Sequence, residues 1–124
     1  MKTHGLHKSE RLKSRSSILA LLRDGRRSYI FPVKMLWRYT EQPGPYARMT
    51  VVVPKRLIRS AVRRNLIKRR VREAYRMNKH TLVAHLQEKD KKIEMLFLFQ
   101  SEKVVEYKQI ESSIKEHLSV LLSR

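Results

Sequence analysis

Ten Lys or Arg residues and a single acid, Glu73, fall within the 22 residues from Lys55 to Arg76. The chemistry open to such a set is anion binding: guanidinium forks take two phosphate oxygens at once, and an ammonium adds a point charge. Like charges at close spacing destabilise an isolated helix. A chain accepts them most readily when a polyanion neutralises them, and the polyanion that fits is a nucleic acid. The pattern is also ordered. On a helix at 100° per residue, Ile67, Val71, Ala74 and Tyr75 share one arc of about 100°, while Asn65, Lys68, Arg69, Arg72 and Arg76 share another of similar width. A disordered basic tail has no reason to sort its residues in this way, and an ordinary solvated helix face interleaves Glu with Lys.

Other chemistry is missing. The eleven acids are scattered, with no pair placed for acid–base work. His4, His7, His80, His85 and His117 lack metal-ligand spacing, so neither a catalytic residue nor a protein-borne metal is expected. Three glycines form no phosphate cradle. The absence of cysteine rules out disulfides, thiolate catalysis and zinc-finger chemistry.

The elements that must carry the basic run can be read in outline. At 124 residues the chain is expected to form one domain, residues 1–124, with a modest core. The balance of 29 basic and 11 acidic residues gives +18, which suggests a protein that works bound to something negative. No stretch is long and apolar enough to span a membrane, and Met1 to Leu12 lacks the apolar centre of a secretory signal, so a small cytoplasmic protein is expected. Residues 1–9 read as a loose basic arm. Ser9 or Ser14 caps a helix running to about Asp24 and stopped by Gly25. Tyr29 to Phe31 is a short strand broken at Pro32, and Val33 to Tyr39 alternates as a half-buried strand. Met49 to Val53 is a third strand, ended by Pro54. The basic helix follows, from about Ser60 to Asn78. Lys79 to Lys92 is a polar connection, in part helical. Ile93 to Phe99 is the last strand, and Tyr107 to Leu121 an amphipathic helix. The order αβββαβα predicts an α+β two-layer sandwich with a mixed four-stranded sheet: three successive strands as an antiparallel meander, and one parallel pair across the basic helix.

Ala61 to Arg76, A-V-R-R-N-L-I-K-R-R-V-R-E-A-Y-R, resembles the signature of the protein subunit of bacterial ribonuclease P. That family's pattern reads roughly A-V-x-R-N-x-x-K-R-x-x-R-E-x-[FY]-R, and Ala61, Val62, Arg64, Asn65, Lys68, Arg69, Arg72, Glu73, Tyr75 and Arg76 fit it. Val51 to Arg56 is similar to the family's strand and basic turn, and Ser9 to Lys13 and Asp24-Gly25 also match. Leu66 departs, standing where relatives carry Arg, and Arg63 and Arg70 stand where relatives are often apolar. Ile18 and Leu22 replace the aromatic residues that the first helix often carries.

The resemblance implies a fold shared with a ribosomal protein S5 domain, with a left-handed crossover. It implies a ribonucleoprotein that removes the 5′ leader from precursor tRNA, in which the RNA subunit holds the catalytic magnesium and the protein itself binds no cofactor. It implies contact with that catalytic RNA subunit through Lys55, Arg56, Arg63, Arg64, Asn65, Lys68, Arg69, Arg72 and Arg76. It also implies a cleft between the first helix and the sheet for the single-stranded leader, with Arg11, Lys34 and Trp37 as candidates. Trp37 and Tyr39 either stack on leader bases or pack in the core. A single copy of the protein per holoenzyme is expected. The competing readings are a ribosomal-type structural RNA-binding protein, a DNA-binding regulator and a protein-only nuclease. The first shares the charge but not the motif, the second lacks a zipper or helix-turn-helix, and the third lacks carboxylates.

Overall fold

A computed structural model describes residue 6 and residues 8–124. Most of the expected basic arm, with His4 and His7, lies outside the described residues; Lys8–Glu10 forms a single 3-10 turn. Helix α1 spans Arg15–Asp24, and the Ser14 side chain caps it by accepting from the Ser17 N–H. Strands β1 (Arg26–Ile30), β2 (Val33–Thr40) and β3 (Ala47–Val52) follow. The basic helix α2 spans Ala61–Asn78 and is capped by Ser60, whose hydroxyl accepts from the Arg63 N–H. Where only a partly helical connection was expected, a separate helix α3 runs from His80 to Lys89, with Leu82 and Leu86 buried. Strand β4 (Lys92–Phe99) and helix α4 (Tyr107–Leu122) complete the chain.

The sheet order is β1-β2-β4-β3. The meander expectation is therefore corrected: β1 and β2 form an antiparallel hairpin, but β2 pairs with β4 and not with β3. The β3–β4 pair is parallel, as the crossover through α2 and α3 requires. The burial pattern of β4, apolar at nearly every position, explains the insertion: it is covered on both faces and belongs in the middle.

The register sorts the side chains by face. One face carries Met35, Trp37, Met49, Val51, Met95 and Phe97 into the main core under α2 and α4. From α2 the core takes Ile67, Val71, Ala74 and Tyr75, the apolar arc expected from sequence. The other face carries Leu36 and Leu96 into a smaller cluster with Leu12 and Leu21 beneath α1.

A buried histidine fastens α4 to the β1–β2 hairpin. The Nε2 of His117 lies 2.7 Å from the Val33 carbonyl, and Nδ1 lies 2.7 Å from the Ser28 hydroxyl. A carbonyl only accepts, so Nε2–H donates and the neutral ring receives the Ser28 proton at Nδ1. Burial lowers the His117 pKa, opposed more weakly by the Val33 carbonyl and the Glu116 carboxylate. Because the folded pKa lies below the unfolded one, protonation opposes folding. The contribution is fully present above the unfolded value of about 6.5 and is lost as pH falls towards the folded pKa. Urea midpoints should thus fall between pH 7.5 and pH 5.5, and a His117→Gln variant should lose most of that slope. A wild-type midpoint that stays flat over this range would contradict the assignment.

Candidate nucleic-acid interface

Strand β3 ends at a tight turn in which the Pro54 carbonyl accepts from the N–H groups of Leu57 and Ile58. This turn holds Lys55 and Arg56 exposed just ahead of α2. Along α2, Arg63, Asn65 and Arg69 are exposed, and Lys68 and Arg72 are half-buried at the rim of the packed face. The arc expected from helical spacing therefore stands clear of the core. Arg72 gains a neighbour that sequence did not indicate. Residues 8–12 run along the outer edge of β3, where Leu12 N–H donates to the Met49 carbonyl and Arg11 bridges to Met49. This brings Arg11 towards Arg72, and burial together with the Arg11 charge lowers the Arg72 pKa. Among the described residues neither arginine takes part in a salt bridge. An anion bound near the two would relieve that repulsion.

Three other arginines of α2 are committed within the protein. Arg64 donates from Nη1 to the carbonyls of Ile58 (3.0 Å) and Arg59 (2.7 Å), tying down the preceding loop. Arg70 donates from Nη1 to the Val105 carbonyl at 2.7 Å, tying down the loop before α4. Arg76 forms a bidentate pair with Glu73 at 2.9 and 2.6 Å. That hydrogen bonding lowers the Glu73 pKa and raises that of Arg76. The sequence motif groups Arg64 and Arg76 with Arg69, yet these two are bonded within the protein, as is Arg70 outside the motif.

The α1 side of the sheet shows a second surface. Side chains directly opposite one another share a face, so Tyr29, Lys34, Leu98 and Val52 form a row across all four strands beside α1. Tyr29 is 56% exposed, and Lys34, Leu98 and Val52 are half-buried. Leu22 on α1 and Phe31 at the hairpin tip are also exposed. Closer to the start of α1, Arg11, Lys13 and Arg48 surround a hollow of about 480 Å³ rimmed by Ser14, Ser16 and Ser17. At its floor the buried Glu94 accepts from Arg38 Nε at 2.9 Å.

One expectation is corrected by this geometry. Trp37 is 1% exposed and sits on the opposite face, in edge-to-face contact with Tyr39 and with the Arg26 and Arg124 guanidinium groups over its ring. It is a core residue and offers no face to a base. The exposed aromatics on the α1 side are Tyr29 and, at the hairpin tip, Phe31; the face of Tyr29 is set by its pairing with Lys34. Of the other two leader candidates, Lys34 lies half-buried on the α1 side and Arg11 lies further along, between the hollow and α2. Among the described residues no group of His, Asp and Glu is arranged to hold a metal ion, and no helix is long and apolar enough to cross a membrane.

Comparison with known proteins identifies the family and the fold. The Ribonuclease P family profile matches residues 6–122. The chain is 37% identical over 117 residues to the ribonuclease P protein component of Porphyromonas gingivalis, covering 94% of this chain and 85% of the relative. It is 38% identical over 79 residues to that of Syntrophus aciditrophicus, covering 64% of each. The fold resembles the solved RNase P proteins of Staphylococcus aureus (TM-score 0.72, 21% identity, covering 91% of this chain and 95% of that one) and Thermotoga maritima (TM-score 0.70, 23% identity, covering 90% and 96%).

Proposed function

The chain belongs to the ribonuclease P protein family, as the protein component of a ribonucleoprotein endonuclease that removes 5′ leaders from precursor tRNA, and we propose that it meets its two RNAs on two different surfaces. The RNA subunit is its partner. The surface for that partner is the arc of Asn65, Lys68, Arg69 and Arg72, extended by Lys55, Arg56 and Arg63 at one end and by Arg11 at the other. The observation that carries this reading is the separation, on one helix, of the apolar face from an arc whose Lys68, Arg69 and Arg72 form no salt bridge among the described residues. A-form RNA displays phosphates and 2′-hydroxyls, which are the groups that arginine forks and the Asn65 amide bind.

The single-stranded leader lies on the α1 side, along the row of Tyr29, Lys34 and Leu98. An exposed ring beside a cation and an apolar strip suits an unstacked base followed by its phosphate. Magnesium enters the reaction through the RNA, the protein acts as a single copy in the holoenzyme, and the work is cytoplasmic. The protein's own residues position RNA and supply no general acid, base or metal ligand.

Reconstitution tests the reading: with a bacterial ribonuclease P RNA, the protein should raise precursor tRNA cleavage at low magnesium, whereas RNA-free protein should cleave nothing. Cleavage by rigorously RNA-free protein would defeat it. Binding to the RNA subunit should also weaken steeply with salt. If about six to eight phosphates are neutralised, the log–log slope should be about −4 to −7. A slope shallower than about −2 would mean that most of the cluster is solvated. For the leader, Tyr29→Ala should raise the KM for leader-bearing substrate about 5- to 150-fold, the ~1–3 kcal/mol of one base stack. Its affinity for the RNA subunit should stay unchanged.

A further inference from the structure

We propose that the groove at the N-terminal end of α2 receives an unpaired nucleobase of the RNA subunit. The groove holds about 700 Å³ and lies between the loop after β3 and the loop before α4. Leu57, Ile58, Leu66 and Val104 line it, and Arg59, Arg63 and Lys103 stand around it with one acid, Glu102. Leu66 is half-buried, and three of the four residues one helical turn from it, Arg63, Arg69 and Arg70, are basic. Its side chain supplies an apolar wall within a phosphate-binding surface.

Both walls are fastened to the helix. Arg64 holds the carbonyls of Ile58 and Arg59 on one side, and Arg70 holds the Val105 carbonyl on the other. The second loop is further folded on itself, with Ser101 Oγ donating to the Lys103 carbonyl and accepting from its N–H. These bonds set the shape of the groove before any ligand arrives, which lowers the entropic cost of binding.

The charge at the rim selects the occupant. Three cations against one acid favour a polyanion over an apolar peptide, and the apolar lining requires a flat, poorly hydrated face. A nucleotide provides both, but only when its base is out of the duplex stack, because a paired RNA helix hides its base faces. The inference rests on the reading of α2 as the RNA-binding helix and adds a base contact to its phosphate contacts.

The test compares Leu66→Ser and Arg69→Ala for binding to a bacterial ribonuclease P RNA that the wild-type protein binds, over a salt series. Leu66→Ser should weaken binding about tenfold, the loss of one apolar contact, with the salt slope unchanged. Arg69→Ala should weaken binding and make the slope shallower by about one. Because the chain has no cysteine, a photo-crosslinker attached to Val104→Cys reports from the groove alone. It should mark nucleotides that are unpaired in the RNA, and circular dichroism should show both substituted proteins folded. Wild-type affinity for Leu66→Ser alongside weakened Arg69→Ala would overturn the groove and leave the helix reading standing. Wild-type affinity for both would overturn the two together. Crosslinks confined to paired nucleotides, or a Leu66→Ser protein altered only in self-association, would also overturn the proposal.

Discussion

Replacing Arg69 and Arg72 together with alanine should cost about 2–4 kcal/mol of affinity for the RNA subunit, taking charge-assisted contacts at ~1–2 kcal/mol each. Replacing Lys108 and Lys115 removes the same charge from exposed positions on α4. That pair should cost only a small long-range share, since exposed charges are screened beyond about 10 Å at 0.1 M salt. The structure gives a reason for the contrast. Arg72 is held beside Arg11 with its charge partly desolvated, so a phosphate placed between them removes a repulsion as well as gaining an attraction. Neither double variant touches the core, and both should keep the wild-type far-UV spectrum. Filter binding against one RNA subunit compares them, and equal losses would show that affinity follows net charge and not position.

The largest effect on stability is expected at Phe97. It is fully buried at the centre of β4, with Met35 and Val51 directly opposite on the two flanking strands. Its ring lies 6.0 Å from that of Tyr75 on α2. Phe97→Ala opens a cavity where sheet and helix meet, and should cost about 3–5 kcal/mol. Against a total of about 5–15 kcal/mol, that is a large share of the stability. Tyr75→Phe makes the complementary test. The Tyr75 hydroxyl is buried and has no hydrogen-bond partner among the described residues. Removing it should be neutral or stabilising by about 1 kcal/mol. Urea denaturation measures both, and a Phe97→Ala midpoint close to wild type would mean that the α2–sheet contact contributes little.

The parts of this structure that were legible in sequence share one property: their signal is local. The apolar arc of α2 follows from a period of 3.6, so the basic arc opposite was legible too. Strand order was not legible, because β4 pairs with residues about sixty positions earlier in the chain and nothing in Val33 to Val53 announces a missing neighbour. Helix α3 did leave a trace, Leu82 and Leu86 four apart, but its polar surroundings concealed it. For the site, alternation put Trp37 and Lys34 on opposite faces without saying which face lay open, and the face of Tyr29 follows only from the β1–β2 register. The arginines were the hardest case. Arg64, Arg70 and Arg76 look like Arg69 in sequence, and only the position of carbonyls and carboxylates shows which of them are bonded within the protein.

The strand order has a consequence for synthesis. Strand β4 lies between two strands made before it, so until Lys92 to Phe99 has left the ribosome, β3 has no partner and the apolar face of α2 has no sheet to cover. The complete RNA-binding helix is thus made well before it can be shaped. A nascent chain that stops short of β4 carries the charge of the finished protein without its geometry, and it can attract RNA without selecting among RNAs. The sheet can close only when this one strand joins a hairpin to a solitary strand, so its long-range pairings are made late and together.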